Sequence, residues 1–180
     1  DVNGDGKVFM PRNAFNEPNA ASLATGGGMS TNIYCGGIYE LEADEALIVE
    51  AHQPVEPNYI GFCLGNMWGE SLDFANFQSS LNGVQAHRDA DNVIRYVIAH
   101  RDPGIHNWVD TTGHGEGYMC IRWAYSDKPK ENLPRAAVKK IRLAELMRYL
   151  PANTRMISPE ERCRQIAIRQ EHVQRRYRHH

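Results

Sequence analysis

Apolar residues in this chain come in short runs that alternate with polar ones. The runs are broken by turn residues and show no helical period. Residues 33–41 and 46–52 are strand-like and flank the acidic turn Glu42-Ala43-Asp44-Glu45. A third run, 58–66, places Tyr59, Ile60, Phe62, Cys63 and Leu64 between Pro57 and Gly65-Asn66. Residues 84–88 and 93–100 bracket Asp89-Ala90-Asp91-Asn92, the pattern of a hairpin. Residues 118–125 (YMCIRWAY) form a further strand and 137–143 the last. No crossover helix lies between these strands, which disfavours a parallel α/β sheet. The pattern predicts a mainly β chain, an antiparallel β-sandwich or jelly-roll-like fold.

Helical signals are confined to the C-terminal end. Residues 143–150 predict a short helix stopped by Pro151. At Ser158-Pro159-Glu160-Glu161 the serine caps, the proline takes the first helical position and Glu161 closes a capping box. Cys163, Ile166, Ala167, Gln170, Val173 and Tyr177 then fall on one side, opposite an arginine-rich face. Three parts are expected. Residues 1–32 are an irregular lead-in or the remnant of a longer chain. Residues 33–150 are a β-rich domain. Residues 151–180 are a basic amphipathic C-terminal helix that packs on the domain or on a partner.

Composition narrows the classes. The 180 residues, 42% hydrophobic and 23% charged, suit one soluble domain with a real core. A net charge of −2 gives no bulk attraction to nucleic acid or membrane, although 158–180 carries six arginines against three glutamates. No apolar run reaches the roughly 18 residues of a membrane span, and no signal-peptide pattern is present. The compartment stays unassigned, with the cytoplasm favoured. The chain opens on Asp1 rather than Met, as a processed or excised piece would. Cys35, Cys63, Cys120 and Cys163 are far apart and lack a CxxC pair, so they read as buried free thiols.

The densest chemistry lies in residues 100–117, HRDPGIHNWVDTTGHGEG, which hold three histidines, Asn107, Trp108 and four glycines. Asp102-Pro103-Gly104 reads as a turn. Asp110 and His114, four apart, could act as a carboxylate orienting an acid–base imidazole. The alternative is that Asp110 caps a turn and His114 bonds backbone. Trp108 is either a lid on the core or a pocket wall, with Asn107 fixing polar groups. His106, Asp110 and His114 have a metal-ligand spacing, but the glycines break the helix that would align them. A second cluster lies at 66–82, NMWGESLDFANFQSSLN. There Glu70 and Asp73 could reach His114 or Arg101 across a cleft walled by Trp68. Ser71 lacks the small flanking residues of a nucleophile elbow. The plainer reading is a long connection between sheets, held by side-chain bonds to backbone. Asp1, Asn3 and Asp5 match the first half of a calcium loop, but Arg12 stands where a bidentate carboxylate is needed.

Several long strings, YELEADEALIVEA, FCLGNMWGESLDFANFQSSLNG, VIAHRDPGIHNWVDTTGHGEG and the closing RRYR, resemble the bacterial domain-of-unknown-function 1214 family. The resemblance covers 33–178. It implies a β-rich fold and a place as the C-terminal portion of a longer polypeptide. Its motifs fall on Asp102, Pro103, Gly104, Asn107, Trp108, Asp110, Thr111, Gly113 and His114, and on Trp68, Glu70, Ser71, Leu72 and Asp73. His106 is not required by the pattern, and no activity comes with the name.

Two functions follow as expectations. One is the catalytic or substrate-binding half of an enzyme, a hydrolase or lyase acting on a small organic molecule. It would use His114, Asp110, Glu70 and Asp73 as catalytic groups, Trp68, Asn107, Trp108 and Arg101 as binding groups, and no cofactor. The other is a non-catalytic β-sandwich module for a carbohydrate or other ligand, or for a partner subunit. A companion N-terminal segment, a subunit or a second copy is expected as partner; nucleic acid and membrane are not.

Overall fold

The computed structural model describes residues 10–18, 31–127, 129 and 131–177. The half calcium loop at Asp1, Asn3 and Asp5 lies outside them. Eight strands follow in order: β1 (Asn32–Glu40), β2 (Glu45–His52), β3 (Tyr59–Gly65), β4 (Ser80–Asn82), β5 (Ile94–Ala99), β6 (Trp108–Asp110), β7 (Glu116–Ala124) and β8 (Arg135–Arg142). A short 3₁₀ helix (Leu143–Arg148) and helix α1 (Pro159–Tyr177) follow them among the described residues. The strands form a front sheet, β1-β7-β3-β4, and a rear sheet, β6-β5-β2-β8. Pairing is antiparallel except between β5 and β6, where Val97 lies beside Trp108 in parallel register. The expected mainly β, two-sheet fold is what forms.

The sheets bury a common core. Ile33, Tyr39, Phe62, Leu64, Ile121 and Trp123 of the front sheet belong to one cluster with Leu47, Val49, Ile94, Tyr96 and Ile98 of the rear sheet. The rear sheet is covered on its other face too, where Ile48, Val97, Trp108 and Ile141 pack with Ile105, Leu146 and Leu150. Coverage on both faces explains why β2 and β5 read as nearly unbroken apolar runs. β3, with one face out, alternates and leaves Cys63 exposed rather than buried.

Each sheet edge has a guard. Along β1, the Ile38 N–H donates to Pro11 O (2.9 Å), and Asn13 and Asn16 N–H donate to Ile38 O (2.7 Å) and Gly36 O (3.0 Å). The Asn13 and Asn16 side chains accept the Glu40 and Gly36 N–H groups at 2.9 Å. A Cβ at Gly37 would sit 2.0 Å from Ala14 O, so only glycine lets this segment lie so close. β8 presents Lys139 and Lys140. Arg169 donates to Ser80 O of β4 at 2.5 Å. Near β6, the Asp110 N–H donates to Gln78 O (2.9 Å), and the buried Gln78 amide donates to Trp108 O (2.6 Å) and His106 O (3.2 Å). Gln78 thereby ties the approach to β4 to the rear sheet.

Three expectations change. Residues 84–88 are not a hairpin strand: the Asn82 carboxamide accepts the N–H groups of Val84 and Gln85 at 3.0 Å, and Val84 is 96% exposed. The short β4 pairs with β3 instead. β6, three residues long, sits inside the segment that shows no periodicity, because so short a strand displays none. The face of α1 is also rotated. Cys163, Ala167 and Tyr177 are exposed, while Arg162, Gln165, Ile166, Arg169, Gln170 and Val173 are turned toward the domain. The capping box forms as expected, with Glu161 N–H on Ser158 Oγ (3.2 Å) and Ser158 N–H on Glu161 Oε2 (3.0 Å). Hydrogen bonding by Arg162, rather than burial of apolar side chains alone, sets the helix rotation.

Candidate functional site

Within residues 100–117 the polar side chains mostly close on the protein itself. His100 donates from Nε2 to Leu41 O (3.1 Å) and accepts the Thr111 hydroxyl at Nδ1 (2.6 Å). Asp102 accepts the Gly104 N–H at 2.8 Å, the expected turn, and also pairs with Arg162 Nε at 2.8 Å. Arg162 is buried. It donates to Ile105 O (2.6 Å) and His106 O (3.4 Å) and stacks 5.2 Å over the Trp108 ring. Asn107 is a buried clamp, not a ligand group: its amide donates to His87 O (2.6 Å) and Arg95 O (3.0 Å) and accepts His87 N–H (2.7 Å). Trp108 is a core residue rather than a pocket wall, with its indole N–H on Ala99 O at 2.9 Å.

Asp110 and His114 are not joined. Asp110 Oδ1 accepts the Thr112 N–H at 2.8 Å, and burial raises its carboxyl above the ordinary value. Thr112 and Gly113 take positive φ (52° and 84°), and the His114 N–H returns to Thr111 O at 3.0 Å. The His114 side chain is exposed. No hydrogen bond or ion pair links it to Asp110, Glu70 or Asp73 among the described residues. The turn-capping alternative is therefore the observed geometry.

The 66–82 connection behaves in the same way. Asn66 Oδ1 accepts the N–H groups of Trp68 and Glu70 at 3.0 Å, and its amide donates to Glu70 Oε2 at 2.7 Å. Asp73 caps its own turn, accepting Ala75 N–H (3.1 Å), Asn76 N–H (3.0 Å) and the Asn76 amide (2.8 Å). The Asn76 bonds hold the Asp73 carboxyl below the usual carboxylate value. Trp68 stands 89% exposed and walls no cleft with Trp108. Its loop and the His114 loop spring from the same end of the front sheet, where Gly65 pairs with Tyr118. Arg101 lies in a shallow groove with Asp44, Arg142 and Glu145, unattached to Glu70 or Asp73. Among the described residues no cluster of three or more His, Cys, Asp or Glu side chains could hold a metal ion. Both His106 ring nitrogens are engaged, Nε2 donating to Gln85 O (3.0 Å) and Nδ1 facing the Gln165 amide (3.4 Å).

A different place concentrates unmatched charge. A cleft of about 760 Å³ opens between α1, the 83–88 turns and β4. Phe74, Leu81, Ile168 and Val173 line it together with His87, His106 and His172. Arg88, Arg155, Arg169 and Arg176 also line it, and no carboxylate does among the described residues. Arg88 is already paired with Glu56 through two bonds of 2.7 and 2.9 Å. Arg169 is half-buried, has a backbone carbonyl but no carboxylate, and is pushed down to about 10, mainly by burial and further by nearby Arg162. Burial also lowers His106 below the ordinary histidine value, which fits the neutral tautomer that its bonds require. Sequence reasoning missed this cleft. The available signal was the seven-residue spacing of Arg162, Arg169 and Arg176, which repeats along one helical face.

No family model and no curated protein matches this chain. Two solved structures are similar to it. The crystal structure of an uncharacterised protein from Burkholderia cenocepacia is 30% identical, with a TM-score of 0.66, over 74% of this chain and 36% of that one. A protein from Vibrio parahaemolyticus is 12% identical, with a TM-score of 0.48, over 66% of this chain and 33% of that one. The chain thus spans about a third of the length of each. Among the described residues no helix is long and apolar enough to cross a membrane.

Proposed function

We propose that this chain is a ligand-binding module that takes a small organic anion in the cleft beside α1. The observation that carries the reading is the unmatched charge there: Arg155, Arg169 and Arg176 line the cleft with no carboxylate among the described residues to neutralise them. A half-buried guanidinium without a counter-ion is costly, and an anionic ligand would remove that cost. The apolar side chains of Phe74, Ile168 and Val173 suit a ligand with a hydrocarbon or aromatic body. The volume falls within the roughly 300–1,000 Å³ usual for small-molecule sites. Membership of the domain-of-unknown-function 1214 family, as the C-terminal portion of a longer polypeptide, is part of the same proposal. The motif strings support it.

Calorimetric titration with phenyl phosphate and benzoate, against neutral benzamide, tests the reading. The anions bind, salt weakens them, and benzamide does not compete. Arg169→Gln and Arg176→Gln each weaken binding at least about tenfold, equivalent to roughly 1.4 kcal/mol. Asp110→Asn and His114→Ala leave affinity unchanged. Equal binding of benzamide, or arginine variants that bind as well as the parent, would overturn the proposal.

A catalytic version rests on one further observation. The half-buried His87 imidazole lines the cleft with its ring 6.3 Å from that of His106, edge to face. Hydrolysis or elimination would then use His87 as the acid–base group. Turnover of an aryl phosphate or ester that disappears in His87→Asn while binding persists would favour this version over simple binding.

A further inference from the structure

The outward face of the front sheet carries a pair of cysteines that the cleft does not use. Cys63 of β3 and Cys120 of β7 lie directly opposite each other in the antiparallel ladder. Residues so opposed have Cα atoms about 4.5–5.5 Å apart. Disulfides accept about 4.4–6.8 Å. The Cys120 thiol donates to Ile121 O at 3.7 Å. The facing Cys63 side chain, with the Tyr118 hydroxyl and the Arg122 guanidinium, holds the Cys120 thiol below its ordinary value despite burial. Tyr118 and Arg122 are two residues before and after Cys120, so alternation along β7 puts all three on one face. The remaining cysteines lack such a setting. Cys35, in the core, is pushed up to about 12 by burial, and Cys163 lies exposed on α1.

We propose that Cys63 and Cys120 form a redox-active dithiol that a small hydroperoxide closes to a cross-strand disulfide. Cys120 is nearly covered, so an oxidant the size of hydrogen peroxide can reach it more readily than a bulky disulfide can. The Cys120 thiolate attacks one peroxide oxygen and the O–O bond breaks. Hydroxide leaves, takes a proton from solvent and departs as water. Cys120 is now a sulfenic acid, oxidised by two electrons, and the peroxide has been reduced. Cys63, exposed and alongside, loses its proton and attacks Cys120 Sγ. The S–O bond breaks, and the departing hydroxide carries off that proton as a second water. Two thiols and one peroxide give one disulfide and two waters. A nearby cation suits this nucleophile better than it suits a metal site, because Arg122 would repel a metal ion.

The test treats the reduced protein at pH 7 with one equivalent of hydrogen peroxide, blocks the remaining thiols by alkylation and maps peptides by mass. The expected product is an intramolecular link between the peptides of Cys63 and Cys120, with Cys35 and Cys163 still alkylated. Cys63→Ser stops at a Cys120 sulfenic acid that dimedone traps. Cys120→Ser leaves Cys63 reacting at least tenfold more slowly. Tyr118→Phe, a milder change that keeps the ring, also slows the reaction. Preferential oxidation of Cys163, linkage only between molecules, or an unchanged Cys63 rate in Cys120→Ser would overturn the proposal.

Discussion

In residues 100–117 the buried and half-buried polar side chains close on the protein itself. His100, Asp102 and Asn107 all have partners, and Asp110 caps a turn. Beside α1, Arg155, Arg169 and Arg176 face a cleft without a carboxylate among the described residues. Both regions are rich in chemistry-bearing residues. They differ in what is left unmatched once the chain has folded. Density of polar groups marks a place where irregular backbone must be satisfied. A surplus of one charge marks a place where something else can bind.

The contrast can be broken most forcefully at Arg162, the contact that joins the two regions. Arg162→Ala leaves Asp102 without its ion pair and takes one of the donors from each of the Ile105 and His106 carbonyls. The loss should be roughly 3–5 kcal/mol, read as a drop in the urea midpoint together with rapid proteolysis across α1. An unfolding free energy within about 1 kcal/mol of the parent would mean that the helix is held by other contacts. Asn107→Ala comes next: three bonds to the His87 and Arg95 backbone disappear, for about 2–3 kcal/mol in the same denaturation experiment.

The smallest effect is a pH slope. His106 has a lower pKa in the folded chain than its ordinary 6.5, so below that pH the unfolded chain binds more protons than the native one. Its contribution is complete above about 6.5. It declines as pH falls through that value and levels off below the lowered folded pKa. Unfolding midpoints measured from pH 8 to 5 should show this fall, and His106→Gln should flatten it. An identical slope in the variant would assign the titration to another group.

Much of the architecture was legible because burial writes itself into period. β1, β2, β3, β5, β7 and β8 each carry a run long enough to show which faces are covered. The capping box at Ser158 was equally plain, since its signal is local. β4 and β6 were not legible, because three residues give no period and their pairing depends on distant partners. The site was harder still. Trp108 and Asn107 read as ligand groups until the fold shows them inside, and Trp68 read as a wall until it stands in solvent. The seven-residue spacing of the α1 arginines shows that they share a face, but not what that face meets.

The guards along the sheet edges limit how copies of this domain can associate. With the margin of β1 occupied by residues 11–16, and lysines studding β8, these two sheet edges are poor templates for a neighbouring molecule. Assembly would have to proceed through side-chain surfaces and loop tips, where shape selects the partner. Removing the residues that shield β1 would open a template for indiscriminate ribbon growth, so that short segment protects against aggregation as well as bracing the fold.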